Sequence, residues 1–182
     1  IIMIPIFILV LALPIDLGTL DVGGVDLLTT HLIAAILFAV ASITDWLDGK
    51  IARSRGLVTN FGKFADPLAD KMLVMTAFIM LVELDKAPAW VVSIIICREL
   101  AVTGLRLLLV EHHGEVLAAA WPGKIKTATQ MVAIIFLFIN NLPFSLIGIP
   151  LDQIMLYVCL IFTIYSGIDY FIKNASVFKG SM

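Results

Sequence analysis

Six apolar segments make up most of this chain, at roughly residues 1–13, 27–48, 66–83, 88–109, 124–140 and 151–172, and short connections join them. About 20 apolar residues are needed for a helix to span the hydrocarbon core of a bilayer. Inside that core each backbone N–H and C=O must find a partner within the protein, so helices are what such runs dictate. The expected fold class is an all-α integral membrane protein with six transmembrane helices, a single domain over residues 1–182. Charged residues are only 14% of the chain and its mean hydropathy is +1.07. Soluble chains carry roughly a quarter charged residues, so an ordinary soluble domain is excluded.

The chain begins at Ile1, straight into IIMIPIFILVLAL. That run of about 13 residues falls short of a full span and has neither the charged leader nor the cleavage site of a signal peptide. The expectation is that a native N-terminal segment precedes it. Cys97 and Cys159 lie inside apolar runs without CxxC spacing, which suggests neither a disulfide framework nor a zinc site. The formal net charge of −2 says nothing about partners, and no nucleic-acid partner is expected.

Where the charges fall is more informative. With six spans, one side of the membrane holds Lys50, Arg53, Arg55, Lys63, Lys71, Arg106, Lys124, Lys126, Lys173 and Lys179, ten of the twelve basic residues. Lys86 is alone on the other side, and Arg98 lies within the fourth span. Basic residues collect on the cytoplasmic side of membrane proteins. Both termini are therefore predicted cytoplasmic, in a multi-pass protein of the cell membrane.

Four aspartates sit at that cytoplasmic edge, spaced Asp45-x2-Asp48-Gly49-x2-Ala52-Arg53, then eight residues to Gly62, then x3-Asp66-x3-Asp70. An ionised side chain at a helix centre costs about 2.5–3.5 kcal/mol on insertion scales, less near an interface. Taken alone, Asp66 before Pro67 reads as a helix N-cap. Four acids together need compensation, and a divalent cation supplies it. Asp45 and Asp48 are i and i+3, Asp66 and Asp70 are i and i+4, so each pair shares a helix face. Oxygen-only ligands favour Mg²⁺, Mn²⁺ or Ca²⁺ over zinc or copper. Gly49, Ala52 and Gly62 leave room for a ligand to approach the backbone, and Arg53 and Lys63 add charge suited to phosphate.

The run DWLDGKIAR-x8-G-x3-D-x3-D resembles the signature of the CDP-alcohol phosphatidyltransferases at all of its fixed positions. Helix number and motif position extend the likeness to essentially the whole chain. Members are six-helix membrane enzymes, usually dimers, that move a phosphatidyl group from a CDP-linked lipid to an alcohol and release CMP. The resemblance implies Asp45, Asp48 and Asp66 as ligands of Mg²⁺ or Mn²⁺. It implies Asp70 as general base with reach to a second metal, and Gly49, Ala52, Arg53 and Gly62 around the cytidine nucleotide. The family's short amphipathic N-terminal segment is not in this sequence.

Two further stretches bear on the acceptor. Arg98, in CRELAVTGLR, lies about ten residues from either end of its span and has no obvious local partner. Glu99 and Arg106 are seven apart, which suits an ion pair across two helical turns. Lys124, Lys126 and Thr127 open the fifth segment, where free N–H groups add to a phosphate site, although lysines at a cytoplasmic edge also obey the charge rule regardless of function. REL-AVTGLR with GKIKTATQM resembles, within the family, the bacterial phosphatidylglycerophosphate synthases. That likeness implies CDP-diacylglycerol as donor and sn-glycerol 3-phosphate as acceptor, with Arg98, Arg106, Lys124 and Lys126 binding the acceptor phosphate. It also implies a homodimer in the bacterial inner membrane.

Other readings are a phosphatidyltransferase with inositol phosphate or serine as acceptor and, more distantly, a divalent-cation transporter. A transporter would place its acids near the midplane, in broken helices and internal repeats. Among the remaining residues, His31 and the His112-His113 pair read as bystanders in the second segment's edge and a loop. Trp90, Trp121 and Tyr170 fall where an aromatic belt is expected. Asp169 with Ser166 could pair with a basic residue or cap the bundle.

Overall fold

The computed structural model describes residues 3–14, 17–54, 60–113 and 121–174; within its helices, the side chains at 46, 48–54, 60–70, 107, 108 and 110–113 lie outside those described. Among the described residues are six α-helices: α1 (Met3–Ala12), α2 (Thr29–Ser54), α3 (Asn60–Glu83), α4 (Ala89–His113), α5 (Trp121–Phe138) and α6 (Leu151–Lys173). They coincide with the six apolar segments. A departure from all-helical structure is a small hairpin between α1 and α2, strands β1 (Thr19–Val22) and β2 (Val25–Leu28). Gly23 and Gly24, at φ +67° and +87°, form its two-residue turn. Both turn positions need positive φ, which glycine adopts without strain. Segment-scale hydropathy passed over these four-residue strands.

The chain divides into two compact units. One comprises residues 1–87 with 134–152, the other 88–133 with 153–182. In the first unit α1 packs on α2 and α3. Its core is aromatic: Phe7 stands edge-on to Phe138 at 5.6 Å between ring centres and 6.5 Å from Phe38. Two of its helix ends are closed in the same way. Asp85 and Asn140 take left-handed φ of +54° and +53°, and the next N–H reaches back, Lys86 to Leu81 O and Asn141 to Phe136 O. These are the reverse hydrogen bonds that satisfy the last carbonyls of a helix. Beyond α3, the Lys86 ammonium donates to Phe138 O at 3.2 Å and Asn140 Oδ1 at 2.6 Å, and lies 3.0 Å from His31 Nδ1. His31, a bystander by sequence, is therefore part of the clasp that anchors the α3–α4 connection.

In the second unit α6 explains its own surroundings. Its buried positions, Leu156, Cys159, Leu160, Thr163, Ser166 and Gly167, follow helical spacing and are mostly small. Its exposed positions are large and apolar, with Ile161 at 64% and Ile172 at 70% exposure. Soluble helices show the reverse pattern, polar outside and large apolar inside; small residues inward are what close helix packing in lipid requires. Among the described residues, α6 is the helix long and apolar enough to cross a membrane, while Met3–Ala12 and Thr29–Asp45 are shorter apolar stretches. The cysteines are free, Cys97 exposed and Cys159 buried, without a disulfide between them.

Candidate functional site

Helices α2 and α3 carry the acidic motif, all of it within the first unit. Asp45, Asp48, Gly49 and Ala52 lie at i, i+3, i+4 and i+7 on α2, one stripe of the helix; Gly62, Asp66 and Asp70 lie at i, i+4 and i+8 on α3. The small residues thus share the stripe with the acids. Asp45 is exposed. The side chains of Asp48, Ala52, Arg53, Asp66 and Asp70, and the surroundings of Gly49 and Gly62, lie outside those described. One sequence expectation changes: α3 begins at Asn60, so Asp66 lies a full turn and more inside the helix and cannot be its N-cap. An acid with no capping role, on the stripe that carries Asp70, fits a ligand better than it fits a helix terminus. The donor set is hard oxygen throughout, which suits Mg²⁺ or Mn²⁺.

The basic residues lie in the second unit and form a described network. Glu99, 5% exposed, is its hub. Its Oε1 accepts from Arg98 Nη1 at 3.3 Å and from the ammonium of Lys126 on α5. Arg98 Nη2 donates to Ser166 Oγ on α6 at 2.9 Å. The Arg98 stem lies against α6 because residue 167 is glycine: a Cβ there would stand 3.1 Å from Arg98 Cγ. Arg106 holds its guanidinium carbon 5.8 Å from the centre of the Tyr170 ring. Lys124, at the start of α5, sits 5.6 Å from the Trp121 ring centre.

Several sequence expectations are corrected here. Arg98 has partners, and Glu99 pairs with Arg98 and Lys126 rather than with Arg106. Seven residues along a helix is a rise of about 10.5 Å, too far for one ion pair, while α5 brings Lys126 alongside. Thr127 Oγ1 donates to Gly123 O at 3.0 Å, so its hydroxyl serves the first turns of α5. His112 and His113 close α4 rather than lying in a loop. Asp169 pairs with Lys173 at 2.8 Å, one helical turn on, and Ser166 is the α6 residue that reaches the cations.

Among the described residues two cations stand against the Glu99 carboxylate, and nearby Arg106 adds another positive charge. Among the described residues, Arg98 Nε, Arg106 Nε and Tyr170 Oη are all buried without a hydrogen-bond partner. Buried polar atoms of that kind are costly and call for an explanation. A dianionic phosphomonoester would supply both the missing charge and the missing acceptors. Sequence reasoning missed Tyr170, assigned to an aromatic belt, and Gly167, which has no polar signature. The signal for Glu99 was present as an acid deep in an apolar span.

The sequence matches the family model described as CDP-alcohol phosphatidyltransferase over residues 1–165. The chain belongs to this family. It is 52% identical over 179 residues to a protein of Bacillus subtilis (strain 168) named CDP-diacylglycerol–glycerol-3-phosphate 3-phosphatidyltransferase, covering 98% of this chain and 92% of that one. A Haemophilus influenzae protein of the same name is 33% identical over 189 residues, covering 100% and 90% of the two chains. One from Rickettsia felis is 39% identical over 142 residues, covering 76% and 77%. Family membership fixes the reaction class, and metal dependence is a general property of these transferases. The family's phospholipid chemistry and the apolar α6 make this a membrane-associated enzyme.

Proposed function

We propose that this chain transfers the phosphatidyl group of CDP-diacylglycerol to sn-glycerol 3-phosphate, giving phosphatidylglycerol phosphate and CMP. The observation that carries the reading is the buried cationic network with its unpartnered Arg98 Nε, Arg106 Nε and Tyr170 Oη. It suits an acceptor that carries a phosphate of its own. The names of relatives that match nearly the whole chain support the same acceptor.

In this reading the 1-hydroxyl oxygen of glycerol 3-phosphate attacks the lipid-side phosphorus of the donor. A new P–O bond forms, the bond to the CMP phosphate breaks, and CMP leaves. Asp70 takes the hydroxyl proton as general base, which needs hydrogen-bond reach. Asp45, Asp48, Asp66 and Asp70 hold Mg²⁺ or Mn²⁺. When bound, such an ion neutralises pyrophosphate charge and the charge that develops on phosphoryl oxygens. Gly49, Ala52, Gly62 and Arg53 accommodate the cytidine nucleotide. Arg98, Arg106, Lys124 and Lys126 bind the acceptor phosphate.

The same reading makes the chain a multi-pass protein of the bacterial inner membrane, with six spans, both termini cytoplasmic and the active site on the cytoplasmic side. Support comes from the coincidence of helices with apolar segments, the inward small residues of α6 and the one-sided basic residues. A homodimer, usual in the family, belongs to it too.

The test is CMP release by purified protein given CDP-diacylglycerol and Mg²⁺ with glycerol 3-phosphate, inositol phosphate, serine or no acceptor. Release only with glycerol 3-phosphate is expected. Release with inositol phosphate or serine instead would keep the family and replace the acceptor.

A further inference from the structure

Glu99 contributes the only carboxylate bonded to Arg98 and Lys126 among the described contacts, and it does so from a buried position. A buried acid that merely balanced charge could be met by one cation. This one gathers two on a single oxygen, from adjacent positions on α4 and from α5, and α6 completes the arrangement through Ser166 Oγ and the close approach at Gly167. Arg98 is thereby fixed at three points: Nη1 on Glu99, Nη2 on Ser166, and its stem against Gly167. Its Nε has no partner among the described residues. Lys126, whose side chain is 6% exposed, is bonded to the same Glu99 oxygen.

We propose that Glu99 is a positioning residue for acceptor binding, orienting Arg98 and Lys126 so that their remaining donors meet the acceptor phosphate, with Ser166 and Gly167 as its supports on α6. This rests on the acceptor reading above. Glu99 does not touch the phosphate, since two anions would repel; it acts through the two cations. Long cationic side chains lose rotamer freedom when they bind, and holding them beforehand removes that cost from the binding step. One charge-assisted hydrogen bond contributes about 1.5–3 kcal/mol, so releasing the cations should weaken acceptor binding by about ten- to a hundredfold.

The experiment is steady-state CMP release with the acceptor and the donor varied separately, on the wild-type protein, Glu99→Gln, Lys126→Met and the double variant. Expected for Glu99→Gln is a KM for glycerol 3-phosphate raised about ten- to a hundredfold with the KM for CDP-diacylglycerol unchanged. In the Lys126→Met background the same change should do much less, because one of the side chains it acts through is gone. Glu99→Asp, which keeps the charge, should recover part of the loss.

Equal effects of Glu99→Gln on both substrates, or full additivity with Lys126→Met, would overturn the proposal. Should Glu99→Gln not fold, Ser166→Ala removes only a hydroxyl and decides the matter: a raised acceptor KM supports the proposal and an unchanged one overturns it. Failure of the acceptor reading is seen separately, as wild-type protein that does not release CMP with glycerol 3-phosphate.

Discussion

Arg106 lies across the ring of Tyr170, its guanidinium carbon 5.8 Å from the ring centre, while Arg106 Nε and the Tyr170 hydroxyl are both buried without partners among the described residues. The ring holds the cation from one face, and Nε stays without a partner among the described residues. A desolvated cation–π contact contributes up to about 2 kcal/mol, so Tyr170→Leu should raise the acceptor KM several-fold, by up to about thirtyfold. Tyr170→Phe keeps the ring and should lose less. Kinetics with glycerol 3-phosphate varied would check the order of the two variants.

Lys124 and Lys126 differ in a way that activity should report. Lys126 is buried on Glu99, whereas Lys124 is exposed beside Trp121. Truncating Lys126 removes a buried, charge-assisted bond to Glu99, which contributes about 1.5–3 kcal/mol, while exposed charges contribute about 0–1 kcal/mol. Lys126→Met should therefore reduce catalytic efficiency several times more than Lys124→Met. Equal losses would mean that the bond of Lys126 to Glu99 adds nothing to its part in the reaction.

Asp70→Asn removes the proposed base while keeping the side chain's shape. General-base catalysis contributes about 10²–10⁴ in rate, and the loss should appear in kcat. Chelator should abolish CMP release from wild-type protein, and added Mg²⁺ or Mn²⁺ should restore it. Activity that survives prolonged chelation would remove the metal role assigned to Asp45, Asp48, Asp66 and Asp70.

Lys86, in the connection that follows α3, offers a pH test. Burial lowers its pKa from 10.5 to about 8, partly opposed by the charge of Asp152. The folded protein then binds fewer protons than the unfolded chain between pH 8 and 10.5, so stability should rise with pH across that window. Thermal unfolding in detergent, compared with Lys86→Met, checks this. The wild-type midpoint should gain on the variant's above pH 8 and run parallel to it below. A constant difference across the range would contradict it.

Helix number and position were legible in the sequence because long apolar runs parted by short polar connections call for packed helices, and the acidic motif was legible because carboxylates in such runs are conspicuous. The hairpin at residues 19–28 was missed because four-residue strands and a Gly-Gly turn look like a loop at segment scale. Asp66-Pro67 suggested a helix start, yet α3 begins at Asn60. In the basic network, the residue types were found and the pairings were not. Neighbours at i and i+1 on one helix do not normally face each other. Arg98 and Glu99 meet because α5 and α6 supply Lys126 and Ser166 around them. Gly167 gave no signal, since its role is the space it leaves for Arg98.

The most direct test of the central claim is stoichiometry. Purified protein in detergent–lipid micelles would receive CDP-diacylglycerol, Mg²⁺ and glycerol 3-phosphate labelled in its glycerol carbons, with CMP and lipid-extractable label measured together. One label entering the lipid fraction for each CMP released, as a product bearing a terminal phosphomonoester, is the predicted result. CMP release with the label left in the aqueous phase would contradict the account, because the phosphatidyl group would then have passed to something other than glycerol 3-phosphate.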